Sequence, residues 1–416
     1  MLAAAFKGLK ARPGVFYLCT TIFLTSVGMG ALAPILPLFT ESEFLVNRTQ
    51  VGIAVGLFGI SRIFTSLPAG YLTQRYGRRV VLQVGSIISV IGAVMVAFSF
   101  SYTWLICWRF ISGLGWSVYL TGSSVYLRDV ASVDNRARFL SLLEMSILAG
   151  QSLGPLLGGY LGDRWGYRIP LHISAVFVAL SFLVLQFLVP ESRSSILVTS
   201  EPPGNERGKE SSAADGDTRD RHGLLKLLIS PAFIFVGMFT LMIVANRQGG
   251  RFSVLPLYGE SKGFTASQLG SFISVTHIPQ FFTTMLAGFL SDKFGRKSTI
   301  IPAVTLITIG LMLFIFTDNV HKLILSGVLL GLGEGLAGPP SLAFFADIAP
   351  PGLEGVTMGL YRTFGGVGSA IGALLLGGVA DLAGFVASLV VDSALLVCAA
   401  IGVMVFVKET LNKEKP

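Results

Sequence analysis

The sequence predicts an all-α integral membrane protein, with twelve transmembrane helices in two pseudo-symmetric six-helix bundles. Three observations predict it. Of 416 residues, 52% are hydrophobic and 13% charged, against about 25% charged in an ordinary soluble domain; a soluble surface cannot be covered with so few charges. The apolar residues fall into continuous runs of about 20 residues, the length that crosses about 30 Å of hydrocarbon at about 1.5 Å per residue. Barrel strands would instead show alternating segments of about 10 residues. Finally, the decapeptide GYLTQRYGRR at 70–79 returns as GFLSDKFGRK at 288–297, an offset of 288 − 70 = 218.

Taken in order, the runs read as follows. The basic start MLAAAFKGLKARPG leads into a first span at 15–39, too long for a signal-peptide core and therefore retained. The second, 50–73, carries Arg62 and is followed by a turn in which Gly70 and Gly77 allow close approach, while Arg75, Arg78 and Arg79 hold that turn in the cytoplasm. The third is 80–100. The fourth, 103–127, contains Arg109 and ends at Asp129. On the fifth, 138–161, Glu144 precedes Gly150, Gly154 and Gly158, which recur every four residues on one helix face where backbones can touch. Pro155 removes a backbone donor there and bends the helix. The sixth is 169–189. Residues 191–226, rich in Ser, Gly, Pro and charge, cannot bury enough apolar surface to fold alone and read as a cytoplasmic linker between bundles at 1–190 and 227–416.

In the second half, the seventh run, 231–257, places Arg247 and Arg251 four residues apart on a shared face. The eighth, 267–290, holds His277 and ends in the second copy of the loop, with Gly288, Asp292, Gly295 and Arg296. The ninth is 298–317. The tenth, 321–347, carries Glu334 just after Gly331 and Gly333 and closes on Asp347. The eleventh and twelfth, 355–380 and 385–407, carry Arg362 and Asp392.

The repeat runs far beyond one loop. The same offset of 218 relates Gln50 to Gln268, Gly113-Leu114-Gly115 to Gly331-Leu332-Gly333, Asp129 to Asp347, Gly150 and Gly154 to Gly368 and Gly372, and Asp163 to Asp381. Six spans separate the copies, so both halves share one membrane orientation and are related about an axis along the membrane normal. Lys and Arg gather in the loops on one side, which places both termini in the cytoplasm. The formal net charge of +8 is thus an orientation signal, and nucleic acid is not an expected partner. Cys19, Cys107 and Cys398 lie in separate apolar runs without paired spacing, implying neither a disulfide framework nor a metal site. No Walker loop, zinc spacing or nucleophile-and-base set appears, so neither an enzyme nor a cofactor is expected.

These residues resemble the major facilitator superfamily over essentially the whole chain apart from the linker and termini. GYLTQRYGRR is similar to that family's loop signature after the second span, and GFLSDKFGRK is closer still. RFISGLG (109–115) and GQSLGPLLGG (150–159, ending in Gly158-Gly159) are similar to motifs of its drug:proton antiporter branch. The resemblance implies the major facilitator fold, alternating access, and export of small molecules against proton entry, with Arg109 in proton coupling. One departure is Gln74, where the signature carries an acid that the second copy keeps as Asp292; the resemblance implies a weaker latch in the first half.

The residues themselves assign roles by cost. An ionisable group at mid-membrane costs at least about 2.5 kcal/mol, so it faces an aqueous cavity or a partner. Arg62, Arg109, Glu144, Arg247, Arg251, His277, Glu334, Arg362 and Asp392 are the candidates. Glu334 reads either as proton carrier or substrate contact, or as the structural partner of Arg247. Arg109 reads as a coupling residue or as a partner that only stabilises its bundle. Arg78–Asp129 and Arg296–Asp347 are expected ion pairs, as gating latches or topology anchors. The glycine stripe reads foremost as static packing. The expected protein is a monomeric, proton-driven exporter of small amphipathic compounds in the cell membrane, the bacterial inner membrane being the expected one. A carrier of an organic anion, sugar or other metabolite is the alternative, because the central arginines outnumber the central acids.

Overall fold

The computed structural model describes residues 13–131, 136–190, 226–350 and 353–410, and all regular structure among them is helical. The first half contains α1 (Pro13–Phe44), α2 (Arg48–Tyr76), α3 (Arg78–Ala97), α4 (Tyr102–Val130), α5 (Arg136–Trp165) and α6 (Arg168–Leu188). The second contains α7 (Pro231–Ser261), α8 (Ala266–Phe294), α9 (Ile300–Ile315) and α10 (Val320–Asp347). The final stretch, Glu354–Phe406, is interrupted at Gly384, whose φ of 86° separates α11 from α12. That makes the twelve helices expected, several of them longer than their apolar runs. Except for Lys226, the linker expected at 191–226 lies outside the described residues.

The duplicated sequence builds duplicated helix ends. Asn47 with Gln50 caps α2, and Thr265 with Gln268 caps α8, each pair exchanging side-chain and backbone hydrogen bonds. Ser101 caps α4 as Asn319 caps α10. At the other end of α2 and α8, Gly77 (φ 96°) and Gly295 (φ 103°) occupy the region that favours glycine and turn the chain into α3 and α9.

Among the described residues, eight helical stretches are long and apolar enough to cross a bilayer, the last of them being α11 and α12 together. The helices α2, α4 and α8 are more polar because they carry groups directed inward: Ser61, Arg109, Ser123, Thr276, His277 and Gln280 are all buried. The outer surface presents the reverse, with Leu180, Leu183, Ile301, Ile309, Leu374 and Ile401 exposed, as expected where lipid is the solvent.

Within the first half, the glycine stripe of α5 lies on α1. A Cβ at Gly154 or Gly158 would come within 2.4 Å of the Val27 carbonyl oxygen or 2.0 Å of that of Ala31. Gly159 turns the other way, to the second half, where its Cβ would stand 2.3 Å from the Ala266 carbonyl oxygen, and Gly270 sits equally close to the Pro155 oxygen, at 2.2 Å. The symmetric crossing joins α2 to α11: a Cβ at Gly52 would reach 2.1 Å from the Ala373 oxygen and one at Gly377 2.6 Å from that of Arg48. Backbones therefore touch across the halves at one end of the molecule.

Two carboxylates fasten that end. Asp163, at the end of α5, accepts hydrogen bonds from the backbone N–H groups of Ala266 (2.8 Å) and Ser267 (2.9 Å) at the start of α8. Asp381, at the end of α11, accepts from those of Arg48 (3.0 Å) and Thr49 (2.9 Å) at the start of α2. Each acid supplies the helix of the opposite half with partners for otherwise orphaned donors, at the positive end of its dipole. Toward the other end the halves part. The last such crossing on this side sets Gly366 of α11 against Ile63 of α2, 2.4 Å from a Cβ there; beyond it, a Cβ at Gly288 or Gly355 would meet nothing within 4 Å, and Phe64 on α2 and its equivalent Phe282 on α8 are exposed.

A charge at a helix N-terminus contributes about 0.3–1 kcal/mol, so replacing both Asp163 and Asp381 with Asn is expected to raise the population open at this end about 3- to 30-fold. Pulsed electron paramagnetic resonance distances between spin labels at 164 and 262 report it. A distance distribution unchanged from wild type would remove these caps from the closure.

Candidate functional site

At the centre of the second half, α10 runs Gly331-Leu332-Gly333-Glu334-Gly335, and its glycines let neighbouring helices close in. A Cβ at Gly331 would lie 2.1 Å from the Thr276 carbonyl oxygen of α8, and one at Gly333 2.6 Å from the Ala303 oxygen of α9. Glu334 is consequently sealed, its side chain 0% exposed. Its Oε2 accepts from Arg247 Nε at 3.2 Å and stands 3.1 Å from Arg251 Nη1. The same Nη1 donates to Thr276 Oγ1 at 3.0 Å. The two cations differ in setting, since the Arg251 side chain is 2% exposed and that of Arg247 35%. Glu334 Oε1 has no hydrogen-bond partner among the described residues.

Both arginines lie on a π-helical segment of α7, Asn246–Val254. Wider turns of this kind re-aim side chains inside a helix and recur at functional sites. Here the segment brings Arg247 and Arg251 onto one carboxylate oxygen of α10, and turns Asn246 toward α12. Asn246 Nδ2 donates to Asp392 Oδ2 at 2.7 Å, and both residues are buried.

In the first half, Arg109 of α4 is buried without an ion-pair partner among the described residues; its Nε donates weakly to the Ala54 carbonyl oxygen at 3.4 Å and its guanidinium lies 4.9 Å from the centre of the Phe58 ring. A cavity of about 130 Å³ between the halves is lined by Arg109, Phe58, Gln151 and Pro155 from one side and by Gln248, Phe252 and His277 from the other. His277 bonds through Nδ1 to the Ile273 carbonyl oxygen at 2.9 Å, while its Nε2, also buried, has no hydrogen-bond partner among the described residues. The cavity lies between the end closed by Asp163 and Asp381 and the end where the halves part.

The residues singled out from sequence thus divide. Glu334, Arg247 and Arg251 come together, while Arg109 stands in the other half and lines the cavity, which the cluster's neighbour Gln248 lines from its side. Glu144 and Arg362 are exposed and do not line the cavity. The Arg62, Gly70 and Arg75 side-chain positions lie outside the described residues. In the loops, Arg78 pairs with Asp129, and Arg296 pairs with Asp292 and, at 3.1 Å, with Asp347. The second loop is also tied by Glu409, which accepts from the backbone of Arg296 (2.9 Å) and Lys297 (3.0 Å). Sequence reasoning did not single out Gln151, Gln248 or Asn246, uncharged residues in polar or apolar runs; nor did it assign the cross-half caps, although the offset 381 − 163 = 218 marks them as a pair.

The family model described as Major Facilitator Superfamily matches residues 18–278 and 249–416. The chain is 23% identical to an uncharacterized MFS-type transporter of Methanocaldococcus jannaschii, over 90% of this chain and 93% of that one. It is 24% identical to multidrug resistance protein 1 of Bacillus subtilis, over 88% and 89%. Among solved structures, a D-xylose-proton symporter superposes with a TM-score of 0.76 at 18% identity, covering 95% of this chain and 98% of that one. With its twelve helices, its duplicated halves and a family match across the chain, the protein is a membrane transporter, not an enzyme, and belongs to the major facilitator superfamily.

Proposed function

We propose that the chain is a proton-coupled exporter of small amphipathic compounds, acting as a monomer by alternating access and driven by the proton gradient. The observation that carries this reading is Glu334, a sealed carboxylate that holds two arginines of α7 beside a cavity between the halves. The relative named a multidrug resistance protein supports the substrate class.

The chemistry is electrostatic competition. With Glu334 ionised, the group of Glu334, Arg247 and Arg251 carries one net positive charge. Adding a proton to Glu334 raises it to two and frees Arg247, the more exposed cation, to turn toward the cavity. Cations repel one another strongly in such a poorly screened space, so a bound proton and a cationic compound exclude each other, which is the requirement for antiport. The bias of Lys and Arg in the loops puts the arginine-loop end in the cytoplasm. The described conformation is then closed outside and open inside, ready to load cytoplasmic substrate.

A second reading, a carrier for an organic anion or other specific metabolite, is favoured by one observation: Arg109 and His277 line the cavity and no carboxylate does. A cationic-dye accumulation assay separates the two. Deleting the gene raises dye retention if the chain is a broad exporter, and leaves it unchanged for an anion carrier.

Two further outcomes follow. In proteoliposomes, ethidium added to wild-type protein moves protons and Glu334→Gln abolishes that movement; coupling that survives the substitution removes Glu334 from the proton path. Arg251→Ala leaves a buried carboxylate short of a counter-ion, a change that costs about 3 kcal/mol and lowers the thermal-unfolding midpoint by several degrees. Combining it with Glu334→Gln restores most of the loss. A double variant as unstable as Arg251→Ala alone would show that packing, not charge, dominates at this position.

A further inference from the structure

The buried acid of α12 stands in different company from Glu334. Asp392 is 4% exposed, and its one side-chain hydrogen bond among the described residues comes from a neutral amide, Asn246 Nδ2 at 2.7 Å. No lysine, arginine or histidine pairs with it among the described residues, whereas Glu334 is held by two guanidiniums. The groups around Asp392 can be named helix by helix. From α7 come Asn246 and Gly250, the latter so close that a Cβ there would lie 2.8 Å from Asp392 Oδ2. The neighbouring arginines of that π-helical segment, Arg247 and Arg251, are drawn to Glu334 of α10, the other acid of the region. The helix α9, Ile300–Ile315, contributes no ionisable residue, and Tyr361 and Arg362 lie on α11, on the other side of the break at Gly384 and toward its opposite end.

A carboxylate enclosed without a cation costs several kcal/mol in a low-dielectric interior, and one amide hydrogen bond offsets only part of that. Taking up a proton removes the charge. We infer that Asp392, with Asn246 as its donor, is a proton-binding site separate from the Glu334 cluster. The π-helical segment links the two, because Asn246 and Arg247 are consecutive: one reports on Asp392 and the other on Glu334. A change of charge at Asp392 is thereby transmitted to Arg247, the more exposed of the two arginines that hold Glu334. The role in transport rests on the proton-coupled reading above, while the binding of the proton is measurable without any transport.

The test is pH-difference infrared spectroscopy of the full-length protein in lipid, read at the C=O stretch of a protonated carboxylic acid. Wild type is expected to show a titrating band that Asp392→Asn removes, and that Glu334→Gln and Asp392→Glu retain. Asn246→Ala withdraws a donor that favours the ionised form, so the band's midpoint moves about one unit to higher pH. A purely structural Asp392 predicts no such movement. Asp392→Asn removing no titrating component that Glu334→Gln retains, or a midpoint of that component unmoved in Asn246→Ala, overturns the assignment; should Asp392→Asn fail to fold, the Asn246→Ala midpoint, read in the Glu334→Gln background, decides alone. If the band behaves as expected while ethidium moves no protons, the site stands and the export reading falls.

Discussion

A helix that begins at the membrane surface leaves its first backbone N–H groups without partners inside the helix, and here those of α2 and α8 are met by carboxylates of the opposite half. Asp381 serves Arg48 and Thr49, and Asp163 serves Ala266 and Ser267. Everything nearer the centre depends on that closure. It sets Gly52 against Ala373 and Gly270 against Pro155, brings Gln151 and Gln248 to one cavity, and leaves the arginine-loop end apart. A cap of this kind is also easily undone, since its bonds are few and lie at the water boundary, so one end can open without disturbing either core.

Deeper in, lipid as solvent dictates how each charge is treated. A group that stays ionised needs a counter-ion or solvent, and Glu334 has two cations. Arg109 has neither an acid among the described residues nor full exposure; its partners there are a carbonyl oxygen and the face of Phe58, weak compensation that leaves it a free cation at the cavity in energetic terms. Both glycines flanking Glu334, and the stripe on α5, work by the same rule. Without a hydrophobic drive between helices in lipid, close backbone contact supplies the packing energy.

Much of the fold was legible because it rests on length and composition. Apolar runs mark spans, arginines mark loops, and the repeat fixes the symmetry. The pairing of Glu334 with Arg247 was legible too, as one of two open readings, since a mid-membrane acid needs a cation and few are available. The rest depended on geometry that no local pattern carries. Nothing in NRQGGRFSV distinguishes a π-helical from an α-helical turn, yet that turn determines that Asn246 meets Asp392, 146 positions away. The stripe on α5 likewise looks uniform in sequence. Its face decides that Gly154 and Gly158 bind α1 while Gly159 crosses to the other half, and only the docking of the bundles tells the two apart.

The repeat also separates frame from chemistry. At an offset of 218, the loop and end residues keep their character: Gly77 and Gly295, Arg78 and Arg296, Asp129 and Asp347, Asp163 and Asp381. The central ones do not. Glu334 stands where the first half has Trp116, Asp392 where it has Ser174, and His277 where it has Gly59, while Arg109 stands where the second half has Gly327. A two-fold rocking mechanism needs matched hinges and latches, so symmetry at the ends follows from how the halves move. A coupling site has no such need: one acid cluster suffices, and a second copy across the axis would double the buried charge at several kcal/mol per ion. The buried acids Glu334 and Asp392 therefore stand in the second half and the buried cation Arg109, which lines the cavity, in the first.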